Sequence, residues 1–262
     1  MSKVRWGIIG PGSIANNFAD ALMSCYSGEL KGIASRSEDR LINFGNKYNI
    51  NESFRFSNYD DLLNSEDIDA VYISTPHTFH ADLTIKAAGK GKHILCEKPG
   101  AVNFKEGQKV IEAVQQAGVF YKEGFMYRCH PQIPALIKIL KENRIGTIQK
   151  IISSFGFDMK KTVPESRLFQ KELAGGAILD VGLYPISFSR LIAGIANKKK
   201  FINPKNITGK ATIGETGVDE IAHGVLEFEN DIVAEVSTAI RENMINNAII
   251  IGSEGKIELD QP

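Results

Sequence analysis

The stretch VRWGIIGPGSIANNF, residues 4–18, decides the fold. It opens with a short apolar run of the kind that forms a buried strand and breaks at glycine. Ile14, Phe18, Ala21 and Leu22 then recur at helical spacing. Between strand and helix, Gly10, Gly12 and Ala15 fill the G-x-G-x-x-[GA] pattern. In that context Gly10 allows a tight turn, Gly12 lets backbone approach a pyrophosphate, and Ala15 lets the helix pack closely on the strand. The helix N-terminus at Ser13, Ile14 and Ala15 supplies free N–H groups and positive potential for phosphates. An ordinary glycine turn is the competing reading; the surrounding strand–helix–strand unit favours dinucleotide binding.

Downstream, strand and helix signals keep alternating. LKGIAS, FRFSN, AVYIST, KHILCE and VFYKEGF read as strands, and polar or amphipathic segments between them read as helices. One such helix runs from Ser37 to about Tyr48, and another opens with Asn103 as N-cap and Glu106 three residues on, stopping at Gly118. This alternation predicts an α/β domain over residues 1–124 with a parallel, doubly wound sheet. From about residue 125 the texture changes to long strand-like runs, TIQKIISSFGFDM, NITGKATIG, IAHGVLEFEN, DIVAEVSTAI and NAIIIGSEG, with helix scarce outside 177–193. Residues 125–262 are therefore expected to form an α+β domain on an open, largely antiparallel sheet.

Lys plus Arg and Asp plus Glu both total 31, so no net charge draws the chain to nucleic acid or an anionic membrane. The N-terminus lacks a signal-peptide pattern, and the apolar stretch around GGAILDVGLYPISFSRLIAG carries Asp180 and Arg190, which argues against a membrane span. Cys25, Cys96 and Cys129 are odd in number and without C-x-x-C spacing, so reduced, buried thiols in a cytoplasmic protein are expected. His77 and His80 lack cysteine or carboxylate company, and no metal site is expected there.

Two further stretches carry chemistry. The second strand ends GIASRS, with no acid where an NAD site places one for the adenosine ribose. Ser35 and Arg36 there suit a 2′-phosphate, which favours NADP, with NAD as the second choice. In HILCEKPGA, residues 93–101, a buried strand opens into Glu97, Lys98 and Pro99. Lys98 is either a solvated loop charge or a placed reagent.

With GIIGPGSIA, ASRS, AVYISTPHTFH, CEKP and GGAILDVGLY in view, the chain resembles the glucose-fructose oxidoreductase/inositol dehydrogenase/rhizopine-catabolism (Gfo/Idh/MocA) family, and within it the NADP-dependent sugar and trans-dihydrodiol dehydrogenases. The resemblance implies an N-terminal Rossmann domain, a C-terminal open sheet for substrate and assembly, and hydride transfer between NAD(P) and a carbon of a sugar, polyol or dihydrodiol. It assigns Lys98 to the substrate oxygen beside the nicotinamide, with Glu97 orienting that loop. Tyr184 passes the proton, and Asp180, one helical turn earlier, holds a substrate hydroxyl or positions Tyr184. Thr75 and Pro76 contact the nicotinamide ribose, His77 lines the cleft, and His80, Glu97 and Lys98 join the cofactor-binding set. Arg128, His130 and Pro131 mark the crossover between domains. Family members usually continue past GSEGKIEL into a further strand and helix, which implies either a fragment of a longer gene or oligomerisation that covers the C-terminal sheet; a homodimer or higher homo-oligomer is expected. Competing functions on this fold are an NAD-dependent glycosidase, whose members use a histidine-rich site, and a cofactor-sensing binding protein without catalysis.

Overall fold

Strand–helix alternation in the first half of the sequence folds into a six-stranded parallel sheet. The computed structural model describes residues 2–260 and divides into two units, Met1–Gly124 and Phe125–Pro262. The first contains β1 (Val4–Ile9), α1 (Ser13–Met23), β2 (Gly28–Ala34), α2 (Glu38–Lys47), β3 (Arg55–Phe56), α3 (Tyr59–Asn64), β4 (Ala70–Ile73), α4 (His80–Gly89), β5 (His93–Cys96), α5 (Phe104–Ala117) and β6 (Tyr121–Glu123). Their order, β3-β2-β1-β4-β5-β6, reverses direction between β1 and β4, where a doubly wound sheet opens its binding crevice.

Strand alternation sends neighbouring residues to opposite faces. Ile8, Ile33 and Tyr72 join Ala15, Ala19 and Phe44 in one core, whereas Ile9, Ile73 and Ile94 join Leu62, Ala87 and Val110 in the other. The helix caps follow the sequence signals. Ser37 Oγ accepts from Arg40 N–H, and Asn103 Oδ1 accepts from Glu106 N–H while Glu106 Oε2 accepts from Val102 N–H. Gly118 ends α5 at φ 65°.

The second unit contains α6 (Gln132–Lys141), β7 (Ile148–Gly156), α7 (Leu183–Ala196), β8 (Asn206–Ile213), β9 (Asp219–Glu227), β10 (Val233–Ala239), β11 (Asn247–Gly252) and β12 (Lys256–Asp260). The sheet order is β12-β11-β7-β10-β9-β8, antiparallel throughout except where β10 pairs parallel with β7. Ile133 and Leu136 of α6 and Phe188 and Ile192 of α7 share a core with Ile151, Ala234 and Ile250 of the sheet. The helical stretch Lys171–Ala196 is long and apolar enough to suit a membrane by composition, yet Phe188, Leu191 and Ile192 are buried in this protein core.

Two expectations need correction. The helix expected over 177–193 begins as a π turn, Ile178–Gly182, before α7 takes up regular geometry. Of the three cysteines, only Cys96 is buried; Cys25 and Cys129 are exposed free thiols. Burial pushes the Cys96 thiol pKa strongly up, so it packs as a small apolar group at the end of β5.

At the opposite end of β1, Arg5 Nε and Nη2 donate to Asp69 Oδ2 and Oδ1 at 3.0 and 2.8 Å, joining β1 to the loop before β4. The hydrogen bond from Arg5 holds the Asp69 carboxyl below its ordinary range. Stabilisation from a depressed carboxylate is present above the unfolded-state value of about 3.9 and is lost as pH falls through the folded-state value. The thermal midpoint of Asp69→Asn should therefore lie below wild type at pH 7, and the gap should close on acidification below about pH 4. The effect is modest because the pair is partly solvated. Melting curves across pH check it.

Candidate functional site

Register positions the first group of candidates. Ile9 pairs with Ile73, and Ile73 with Cys96, so β1, β4 and β5 end level. Gly10, Ser74 and Glu97 start their loops side by side, held by Ser74 N–H to Ile9 O at 3.0 Å and Glu97 N–H to Ile73 O at 2.9 Å. Ser74 Oγ donates to Gly10 O at 2.8 Å, stitching the glycine turn to the next loop.

Gly10 has φ 92°, and a Cβ there would stand 2.9 Å from Thr75 Cγ2, so a side chain is excluded twice over. At Gly12 a Cβ would meet nothing within 4 Å. Gly12 caps α1 without a side-chain hydrogen bond, and the first turn carries no acid. Asn16 N–H to Gly12 O is the first α-type bond, leaving the amides of Ser13, Ile14 and Ala15 without intrahelical acceptors. Thr75 is buried with Oγ1 unpartnered. Open space at Gly12, uncapped amides and an orphaned hydroxyl fit a dinucleotide with its pyrophosphate on the helix end.

At the end of β2, Ser35 is buried and its Oγ accepts from Ser37 N–H at 3.1 Å. Arg36 is exposed, its guanidinium 4.9 Å from the Phe79 ring centroid and 5.8 Å from that of Tyr59. No carboxylate among the described residues pairs with it. The sequence singled out Arg36 but not the two aromatic rings that hold it.

After β5, Tyr72 Oη donates to Glu97 Oε1 at 2.6 Å, Lys98 is half-buried, and the Lys98–Pro99 peptide is cis. Glu123 Oε1 accepts from Gly100 N–H at 2.7 Å. Tyr72 and Glu123 carried no motif, and only the strand register reveals them.

His80 departs from its expected place among the cofactor contacts. It is fully buried, with Nδ1 2.7 Å from Pro99 O and Nε2 2.7 Å from Thr75 O, so its ring has no edge left for a cofactor. Burial lowers its pKa, opposed by the two carbonyls and by the Glu97 carboxylate. His77 is likewise buried, its ring centroid 5.9 Å from that of His80. Pro76 is half-buried and precedes the 3₁₀ turn His77–Phe79.

The second unit holds the other candidates. Asp180 is buried within the π turn, and its Oδ1 accepts from Arg167 Nη2 at 2.9 Å, a partner no motif announced. The π geometry replaces the plain α repeat that would set Asp180 and Tyr184 one turn apart on a single face. Asp219 Oδ2 accepts from Ile178 N–H at 2.7 Å and caps that turn; burial raises its pKa. Tyr184 sits among aromatic rings, its centroid 5.4 Å from Phe155, 5.9 Å from Phe125 and 6.2 Å from Tyr127. It lines a cavity of about 280 Å³ that Ser153, Ser154 and Asn246 also reach. Arg128 Nη2 donates to Ser187 Oγ at 2.9 Å, and its guanidinium lies 4.2 Å from the Phe201 ring centroid; His130 and Pro131 are exposed before α6.

Residues 4–125 match the oxidoreductase family with NAD-binding Rossmann fold, and residues 134–258 match the GFO/IDH/MocA C-terminal domain. The trans-1,2-dihydrobenzene-1,2-diol dehydrogenase of Xenopus tropicalis is 33% identical over 257 residues, covering 97% of this chain and 74% of that protein. This chain belongs to the Gfo/Idh/MocA oxidoreductase family. Another member, the D-xylose 1-dehydrogenase (NADP(+)) 2 of Haloferax volcanii, is 30% identical, covering 97% of this chain and 75% of its own. Among solved structures, the aldose-aldose oxidoreductase of Caulobacter crescentus, complexed with glycerol, superposes with a TM-score of 0.87 at 25% identity, covering 99% of this chain and 77% of that one. The chain thus spans about three quarters of the length of these Gfo/Idh/MocA relatives.

The two glycines separate fold from binding. Gly12→Ala should leave the melting temperature unchanged, because its Cβ enters open space, yet weaken dinucleotide affinity by at least about tenfold, or 1.4 kcal/mol. Gly10→Ala should lower the melting temperature as well, through its positive φ and the contact with Thr75. Thermal melts and cofactor fluorescence titrations of both variants check this.

Proposed function

We propose that this protein is an NADP-dependent dehydrogenase acting on a CH–OH carbon of a small sugar, polyol or dihydrodiol. The observation that carries the reading is the sheet edge where the orphaned Thr75 hydroxyl, the open approach at Gly12 and the uncapped α1 amides meet the loop of Lys98. The dihydrodiol and xylose dehydrogenases named above support the substrate class, and the NADP(+) in the latter's name supports the cofactor.

Gly12 and the amides of Ser13, Ile14 and Ala15 hold the pyrophosphate, Thr75 and Pro76 the nicotinamide ribose, and Ser35 and Arg36 the 2′-phosphate. Phe79 and Tyr59 keep the Arg36 plane presented. When bound, the nicotinamide supplies the hydride acceptor or donor. Lys98 Nζ donates a hydrogen bond to the substrate oxygen and stabilises negative charge developing there. Tyr184 Oη takes or returns the proton at that oxygen. Glu97, held by Tyr72, fixes the start of the lysine loop. Asp180, buried against Arg167, acts by supporting the turn that leads into Tyr184 rather than by touching substrate. The intact Lys98 and Tyr184 favour catalysis over cofactor sensing, and the aromatic setting of Tyr184 favours it over a histidine-rich glycosidase site.

The same reading makes the protein a cytoplasmic homo-oligomer. Ile152, Val225, Ile249 and Ile251 alternate with the core residues of the second sheet and fall on the face away from α6 and α7, where a second copy would cover them.

Arg36→Ala should weaken NADP binding by about 1.5–3 kcal/mol, the worth of a charge-assisted contact, while NAD binding stays nearly unchanged. Parallel titrations with the two cofactors check it, and equal losses would refute the 2′-phosphate assignment.

Lys98→Met and Tyr184→Phe should each lower kcat/KM by about 10²–10⁴-fold with an aldose or trans-dihydrodiol, Tyr184→Phe without loss of NADP affinity. The double variant should lose far less than the product of the single losses. Near-normal turnover in Lys98→Met would reduce that lysine to a loop charge.

A further inference from the structure

The loop Glu97–Gly100 is tied down on both sides of Lys98. On the near side, Glu97 N–H bonds Ile73 O and its carboxylate bonds Tyr72 Oη. On the far side, Pro99 has no N–H, and two groups hold the chain: Glu123 on Gly100 N–H, and the His80 ring on Pro99 O. His80 is the first residue of α4, so its backbone is fixed by a ten-residue helix. Its second nitrogen faces Thr75 O, the carbonyl of the residue whose hydroxyl is orphaned. Both partners are carbonyl oxygens, which accept only, so a neutral ring donates its one N–H to either of them and only an imidazolium donates to both at once.

We propose that His80 is a positioning residue for Lys98: seated between Pro99 O and Thr75 O and donating to one or both, it sets the spacing of the loops after β5 and β4. One buried ring then places two parts of the cofactor edge at once, the backbone that carries Lys98 and the Thr75 hydroxyl. The role rests on the reading of Lys98 as the group on the substrate oxygen, but the bridge itself is measurable without catalysis.

Amide hydrogen exchange on cofactor-free protein reads the bridge directly. His80→Phe keeps a planar ring and removes both nitrogens. Exchange across residues 97–101 should rise by about tenfold or more, with His80→Gln, which retains N–H donors, in between. In turnover, His80→Phe should lower kcat by up to about 10²-fold, the cost of displacing a reacting group by about 1 Å, with His80→Gln partly restoring it. A ring that merely fills space would lower the melting temperature while leaving loop exchange and kcat alone, and that result overturns the proposal. Should His80→Phe fail to fold, ¹⁵N spectra of the wild-type histidines decide. At least one His80 ring N–H protected from solvent supports the bridge, and two freely exchanging ring nitrogens overturn it. Normal turnover in Lys98→Met would remove the catalytic reading but leave the exchange result standing, so the two failures are distinguishable.

Discussion

The candidate cofactor edge depends on the level parallel register of β1, β4 and β5. Parallel ladders between Ile9, Ile73 and Cys96 bring three chain segments, distant in sequence, to one line at the carboxyl ends of the strands. A one-residue slip in any of them would turn its side chains to the opposite face and shift the following loop. Because the strands are short and buried on both faces, such a slip would also drive Ile8 and Ile9 each into the core shaped for the other. The pattern that stabilises the first unit is therefore the pattern that sets Gly10, Thr75 and Lys98 in place.

Polar groups at this edge are shared rather than spent singly. Ser74 ties its loop to Gly10, His80 faces the carbonyls of Thr75 and Pro99, and Glu123 ties Gly100 to the end of β6. Buried polar groups are costly unless paired, so the Thr75 Oγ1 hydroxyl, buried at this edge without a partner, is informative. In the second unit the same economy holds around the π turn, where Arg167 pairs Asp180 and Asp219 caps Ile178. The turn leads into α7 and sets Tyr184 among Phe125, Tyr127 and Phe155.

Much of this was legible in the sequence, for local reasons. The glycine turn, the Asn103–Glu106 box and the Gly118 stop are short-range signals, and each appears where its residues place it. The parallel sheet followed from alternation, and the second sheet from the change of texture near residue 125. What the sequence hid was long-range. Tyr72 on Glu97 and Arg167 on Asp180 depend on how separate elements pack, and the aromatic rings beside Arg36 come from two different segments. His80 shows the limit of motif reading. It lies in TPHTFH, a segment the sequence reading assigns to the cofactor side, yet helix α4 turns its ring inward to the carbonyls. The π turn was equally hidden, because an apolar periodicity does not separate α from π geometry.

Hydride transfer is the central claim, and isotope tracing tests it most directly. A trans-dihydrodiol or aldose carrying deuterium at the carbinol carbon would be incubated with the protein and oxidised NADP, and the reduced cofactor analysed by mass spectrometry. The account predicts reduced cofactor heavier by one deuterium, with no label washed into solvent. Reduced cofactor without the label, or label released to water while the cofactor stays oxidised, would contradict it.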